Sequence, residues 1–329
     1  MPAAKAASSG FAARASTLCF AHALALKPAA SAGMLRETFM HIAFIGFGEA
    51  ARAFTATLRE AGVDRFSAYD ILTSRKADGP LREAAAALGV TVAETPASAI
   101  DGADWVISAV TAADSLDAGR SIAGYIRPGQ VFVDINSVSA GRKQETAALL
   151  PDGVAYVDMA VMAPVHPRGH KTPVLLAGAL DAAFSGRVVS LGFEHDFAGD
   201  EIGAATTIKM IRSIFVKGLE AITVQALMAA GQAGVLDRIH ASLSKSFPGL
   251  GWPQFARYEF ERVATHGIRR AAEMVESAAT MGELGFPAGR ELGLAIAAVQ
   301  RELGTLGVRL EEDAELARSI ETIADARRR

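Results

Sequence analysis

The feature that most constrains this chain is a strand running directly into a glycine-rich turn and then a helix. His41-Ile-Ala-Phe-Ile45 has strand length and leads into Gly46-Phe-Gly48-Glu-Ala-Ala51, which opens a helical stretch from Ala50 to Ala61. Gly46 suits the tight turn, Gly48 lets backbone amides approach a pyrophosphate, and Ala51 stands where a third glycine would pack helix on strand. The whole loop, Gly46, Phe47, Gly48, Glu49, Ala50 and Ala51, is a candidate dinucleotide cradle. A second strand, Phe66-Ser-Ala-Tyr-Asp70, ends in an acid 24 residues after Gly46, near the spacing at which a carboxylate meets the adenosine ribose. Asp70 either takes that role or only caps the next loop. As a ribose ligand it favours NAD over NADP, whereas Arg75 and Lys76 lie close enough in sequence to hold a 2′-phosphate.

Further strands alternate with helices: Val90-Thr-Val92, Asp104 to Val110, Val131 to Asp134 and Ala155 to Asp158. That alternation specifies a parallel α/β sheet, in which ligands sit beyond the carboxyl ends of the strands. Val110, Thr111, Asn136 and Ser137 are thereby nominated to line the cofactor crevice. Asn136-Ser137, with Ser139 just beyond, reads equally as the N-cap of a helix from Ala140 to Leu150. After about residue 200 the strand signal stops. Helices are predicted at Glu201 to Gly231, Val235 to Ser246, Trp252 to Glu261, Val263 to Met281 and Gly289 to Leu303. The expected organisation is an N-terminal extension over 1–39, a Rossmann-type dinucleotide-binding domain over 40–200 and an all-helical substrate and dimerisation domain over 201–329.

The extension differs in composition from the rest of the chain. It is about one-third Ala, with Lys5, Arg14, Lys27 and Arg36 against the single acid Glu37. It reads as a transit-like presequence or as sequence upstream of the true start. The second reading is favoured because Met40 directly precedes the first strand, with Met34 a second possible start. The net charge of −3 over 329 residues includes no extended basic run, which argues against nucleic acid and for a small-molecule ligand. Cys19 is the only cysteine, so intramolecular disulfides and Cys-rich zinc sites are excluded. No apolar stretch of membrane-spanning length lacks charge. A cytoplasmic protein without a metal is expected.

In the first long helix, Ile208, Ile211, Phe215, Leu219 and Ile222 form an apolar stripe at helical spacing, with Lys209, Arg212, Ser213 and Glu220 on an adjacent face. A polar helix face is ordinarily just solvated. This helix, however, begins where the sheet ends, so its first turns should border the crevice. Partial burial beside Arg212 would lower the lysine pKa and fit Lys209 to be general base in alcohol oxidation and general acid in carbonyl reduction. Arg212 and Ser213 could then hold a substrate anion.

These residues resemble the β-hydroxyacid dehydrogenase superfamily, which includes 6-phosphogluconate and 3-hydroxyisobutyrate dehydrogenases. The resemblance spans nearly all of 40–329. It rests on Ile42 to Ala51, on Val133-Asp-Ile-Asn-Ser137, on Tyr156-Val-Asp158 continuing to Thr172, and on Gly203 to Ser213, whose Lys-Met-x-Arg-Ser signature is closest to the phosphogluconate dehydrogenase-like NAD-binding branch. The resemblance implies that Gly46, Gly48 and Ala51 hold the dinucleotide, that Ser137 sits near the nicotinamide, that Lys209 is catalytic, and that the helical domains pair in a homodimer. Two departures bear on substrate. Met162-Ala163-Pro164 stands where most of the family has a Ser-Gly-Gly loop, and Ser213 stands where it has Asn. Replacement donors are available in His166, Arg168, His170 and Lys171, unless that segment is simply a solvated loop. The His166/His170 pair lies in a Pro/Gly-containing segment and sets no metal site.

The expected activity is hydride transfer between NAD(P) and a small, anionic hydroxy compound. An imine-type reductase on the same fold, or an NAD(H)-binding sensor without chemistry, are the competing readings.

Overall fold

The structure, a computed structural model, describes residues 39–74, 79–311 and 315–329. Most of the 1–39 extension, together with Arg75 and Lys76, lies outside the described residues.

Eight strands form one sheet: β1 (His41–Ile45), β2 (Arg65–Tyr69), β3 (Thr91–Val92), β4 (Trp105–Ser108), β5 (Val131–Asp134), β6 (Ala155–Val161), β7 (Val174–Ala177) and β8 (His195–Gly199). Their order is 3-2-1-4-5-6-7-8. From β3 across to β6 every pairing is parallel, whereas β7 runs antiparallel to β6 and β8 is parallel to β7. All five residues of β1 are buried, as expected of a strand covered on both faces. The covering helices are α1 (Glu49–Glu60), α2 (Gly79–Ala87), α3 (Pro96–Ile100), α4 (Ser115–Ala123), α5 (Ala140–Ala147) and α6 (Ala182–Ser190). Phe44, Phe47, Phe54, Phe66 and Trp105 fill one face of the sheet, and Ile45, Ile100, Val106, Ile122 and Phe132 fill the other. The Rossmann expectation is met, with two corrections. The sheet is mixed rather than wholly parallel, and β7, α6 and β8 extend it beyond the last strand read from sequence.

The helical half comprises α7 (Ala204–Gln232), α8 (Leu236–Ser246), α9 (Gln254–Glu283), α10 (Pro287–Gly304) and α11 (Leu316–Arg328). Here α9 is one continuous helix where two were expected, and α11 is additional.

The face that α7 buries is the reverse of the expected one. Ile208, Ile211, Phe215 and Ile222 are 45%, 46%, 69% and 66% exposed, while Met210, Ser213, Lys217, Glu220, Val224 and Leu227 are buried. Burying these charges requires partners, which α9 and α10 supply. Lys217 pairs with Glu273 at 3.0 Å, Glu220 pairs with Arg270, and Gln300 donates to Glu220 at 2.8 Å. The length and mean hydropathy of α7, 1.4 over its most apolar 18 residues, would let it cross a membrane, but half of that window is buried inside this fold.

Candidate active site

The turn after β1 is built from the backbone outward. Gly46 adopts φ +87° and donates its N–H to Tyr69 O at 2.8 Å, and a Cβ there would lie 2.5 Å from Ala109 O. Only glycine combines that conformation with that contact. Asp70 then fixes the next residues, one carboxylate oxygen accepting from Phe47 N–H at 2.8 Å and the other from Leu72 N–H at 2.9 Å. It therefore does cap the loop after β2, and it also grips the cradle. The ring of Phe47 is buried in the core, so what Phe47 offers the crevice is backbone.

Gly48 is different. Its φ of −82° suits any residue, and nothing lies within 4 Å of where its Cβ would be. The fold makes no demand for glycine at that point, while open space at an exposed turn is what a close-lying diphosphate needs. No side chain caps α1, so its first amide groups remain free at the positive end of the helix dipole, beside exposed Glu49 and half-buried Ala50. The turn fits a dinucleotide.

Val110 and Thr111 follow the carboxyl end of β4, and Asn136 and Ser137 follow that of β5. The Asn136 side chain, however, is committed to the protein. Its Oδ1 accepts Val110 N–H at 2.7 Å and its Nδ2 donates to Ser108 Oγ at 2.9 Å. Asn136 thus ties the two loops together. The Thr111 hydroxyl donates to Asp114 at 2.5 Å.

The decisive contact joins residues 72 positions apart: Lys209 Nζ donates to Ser137 Oγ at 2.6 Å. Lys209 is half-buried rather than solvated. Loss of water lowers its pKa to about 8; Glu273 opposes that shift, and the cations Lys217, Lys143 and Arg269 reinforce it. Arg212 is exposed and has no part in this, which corrects the expected neighbour. Ser213 is buried and accepts from Lys217 Nζ at 3.2 Å. Burial would raise the Glu273 carboxyl, but Lys217, Lys209 and Arg269 together hold it at about 2.

Beneath the crevice lies a buried charge cluster that sequence reasoning missed. Lys143 on α5 donates to Asp134 O at 2.7 Å and pairs with the Asp134 and Asp158 carboxylates at 3.0 and 3.3 Å. Asp158 accepts Thr206 N–H at 2.9 Å, so a residue of β6 caps α7, whose own N-cap is the glycine Gly203. Tyr156 donates to Asp134 at 2.6 Å, and burial first, then that carboxylate, push its hydroxyl well above its ordinary pKa. Asp134, Tyr156 and Asp158 sit inside the motifs Val133 to Ser137 and Tyr156 to Asp158. Lys143 carried no signal beyond its place in a helix.

Met162 packs against the small cluster of Ala160, Ala177 and Ala205, and Ala163 is exposed beside it. In the loop after β6, two of the four candidate donors are engaged within the protein. His170 is fully buried, its ring bonded to Thr57 Oγ1 at 2.7 Å and Leu191 O at 2.8 Å, and burial lowers its pKa. Arg168 is engaged by Glu194. His166 and Lys171 are exposed. Apolar packing of Val165 and the Thr57 hydroxyl draw this segment onto α1. Among the described residues no group of three or more His, Cys, Asp or Glu is placed to hold a metal.

Residues 41–137, which carry the turn, Asp70 and Ser137, match the family described as NADP oxidoreductase, coenzyme F420-dependent. Residues 230–303 match a domain of unknown function, DUF1932. A conserved hypothetical protein from Sinorhizobium meliloti 1021 is 35% identical, over 88% of this chain and 97% of that one, with a TM-score of 0.69. A second solved structure, described as a conserved protein similar to 3-hydroxyacid dehydrogenases, is 27% identical over 82% of this chain and 100% of its own, with a TM-score of 0.63. The 3-hydroxyisobutyrate dehydrogenase of Mycobacterium tuberculosis, solved with L-serine, shares the fold at 18% identity, over 87% of this chain and 99% of its own, with a TM-score of 0.66.

Proposed function

This chain belongs to the β-hydroxyacid dehydrogenase superfamily, and from that premise we propose that it is an NAD(P)-dependent oxidoreductase acting on a small anionic alcohol or the matching carbonyl. The observation that carries this reading is the Lys209–Ser137 contact of 2.6 Å, made at the carboxyl edge of the sheet. A bound nicotinamide supplies the hydride acceptor or donor. The remaining requirement is a group that takes the hydroxyl proton as hydride leaves, and returns it in reduction. Lys209, with a pKa of about 8, is poised for both directions close to neutral pH. Ser137 holds its amine in place. Lys217 and Arg269, only partly balanced by Glu273, supply local positive charge for the substrate anion in an otherwise acidic protein. The carboxylate of Asp70 against the turn favours NAD over NADP, because a 2′-phosphate there would meet like charge.

The test is a panel of short hydroxy acids with NAD or NADP, monitored at the nicotinamide absorbance, beside fluorescence titration with NADH. Turnover of at least one acid, faster with NAD, is the expected result. Saturable NADH binding with no turnover across the panel would instead indicate a sensor, and turnover confined to amine and carbonyl pairs would indicate an imine-type reductase.

We further propose a homodimer through the helical half. On α7, Ile208, Ile211, Phe215 and Ile222 are exposed, and on α9 Ile268 and Val275 are 63% and 37% exposed; a second copy covering these side chains would remove them from water. Light scattering is expected to give a dimer for the native chain and a monomer for Phe215→Glu. A monomeric native chain would refute the assembly.

A further inference from the structure

Lys143, Asp134 and Asp158 take no part in the proton transfer, yet each is fully buried. Attraction in such a cluster is largely offset by lost hydration, so it adds little net stability; what it fixes is geometry. Its partners are not scattered through the core. Asp134 is the last residue of β5 and also accepts Asn136 N–H at 2.8 Å, which starts the loop that carries Ser137. Asp158 takes the Thr206 amide in the first turn of α7, and Thr206 Oγ1 donates to Val138 O at 2.5 Å. Lys209 lies one helical turn beyond Thr206, on the same face. The bonds therefore close a circuit: Lys143 to Asp158, to Thr206, along α7 to Lys209, to Ser137, and back through Asn136 to Asp134 and Lys143, with the Thr206 hydroxyl on Val138 O as a cross-brace.

We propose that Asp158 and Lys143 are positioning residues, which brace the Ser137 loop against the first turn of α7 so that Lys209 Nζ meets Ser137 Oγ. The inference rests on Lys209 being the proton-transfer group. An ordinary core ion pair would need its charges matched but not these two attachment points.

Trinitrobenzenesulfonate, which arylates only neutral amines, reads the state of Lys209 without a substrate. The charges facing Lys209 are Lys217 on α7, Glu273 and Arg269 on α9, and Lys143 on α5. Asp158→Asn keeps an oxygen for the Thr206 amide but loosens the hold on Lys143, while Thr206→Val removes one hydroxyl bond and changes no charge. In both variants the pH midpoint of Lys209 arylation, mapped by peptide mass spectrometry on the full chain, is expected to rise by about one unit as the amine gains water. The direct electrostatic effect of Asp158→Asn runs the other way, since deleting an anion among cations lowers a nearby lysine. A rise therefore reports displacement. A midpoint that stays at the native value or falls in Thr206→Val, which changes no charge, with native circular dichroism overturns the proposal and leaves a core ion pair only. Should Asp158→Asn fail to fold, Thr206→Val decides alone. Absence of turnover in the hydroxy-acid panel would sink the functional reading without altering this result.

Discussion

Replacing Lys209 with Met is expected to lower kcat by roughly 10²–10⁴-fold on whichever acid the native chain turns over, with NADH affinity unchanged. Met retains the length and apolar stem of lysine, so α7 keeps its packing and only the ionisable amine is lost. The cofactor turn lies on the other side of the crevice and makes no bond to Lys209, which is why binding and turnover should separate. The native pH profile provides a second check. As base in oxidation Lys209 must be neutral, so kcat/KM for the alcohol should climb with pH through a midpoint of about 8; as acid in reduction it must be protonated, so the carbonyl reaction should decline over the same range. The pKa falls below the ordinary lysine value of 10.5 because burial disfavours the ammonium. Full turnover by Lys209→Met would remove Lys209 from the mechanism, whereas a midpoint at the ordinary 10.5 in native enzyme would show an amine that burial has not shifted.

What could be read in the sequence was what is decided locally. A strand, a turn that needs positive φ at Gly46 and a helix succeed one another in β1 and α1, and their chemistry is contained in that window. The crevice residues Val110 and Ser137 came from one rule about where parallel strands end. Lys209 was visible because it sits on a helix that starts where the sheet stops. What escaped depends on partners far along the chain. The α7 stripe pointed the wrong way because counting apolar residues assumes an apolar interior, and here Lys217 and Glu220 are matched by Glu273 and Arg270, on a helix separated from α7 by the whole of α8. Lys143 gave no signal because its partners Asp134 and Asp158 reside in strands before and after it. His170 looked like a loop donor because nothing nearby in sequence reveals Thr57 and Leu191 as its partners. The strand β8 is exposed or half-buried along its length and presents no apolar run to detect.

Gly48→Val is expected to weaken NADH binding by at least about 100-fold, near 3 kcal/mol, while leaving the thermal midpoint where it is. The reasoning is a contrast between two neighbouring glycines of one turn. At Gly46 a Cβ would be forced 2.5 Å from Ala109 O and 2.6 Å from Val110 Cγ1, on a backbone with φ +87°. Gly46→Ala should therefore damage the fold first, lowering the thermal midpoint and dragging cofactor affinity down with it. At Gly48 the backbone is permissive and the space around the missing Cβ is empty of protein. A branched side chain there meets no protein at its Cβ and projects into the volume in front of the uncapped amides of α1. A stability loss in Gly48→Val would mean that the fold itself needs glycine at that turn. Unchanged NADH affinity in a stable Gly48→Val variant would mean that the diphosphate lies elsewhere, and the assignment of this edge of the sheet to a dinucleotide would fall with it.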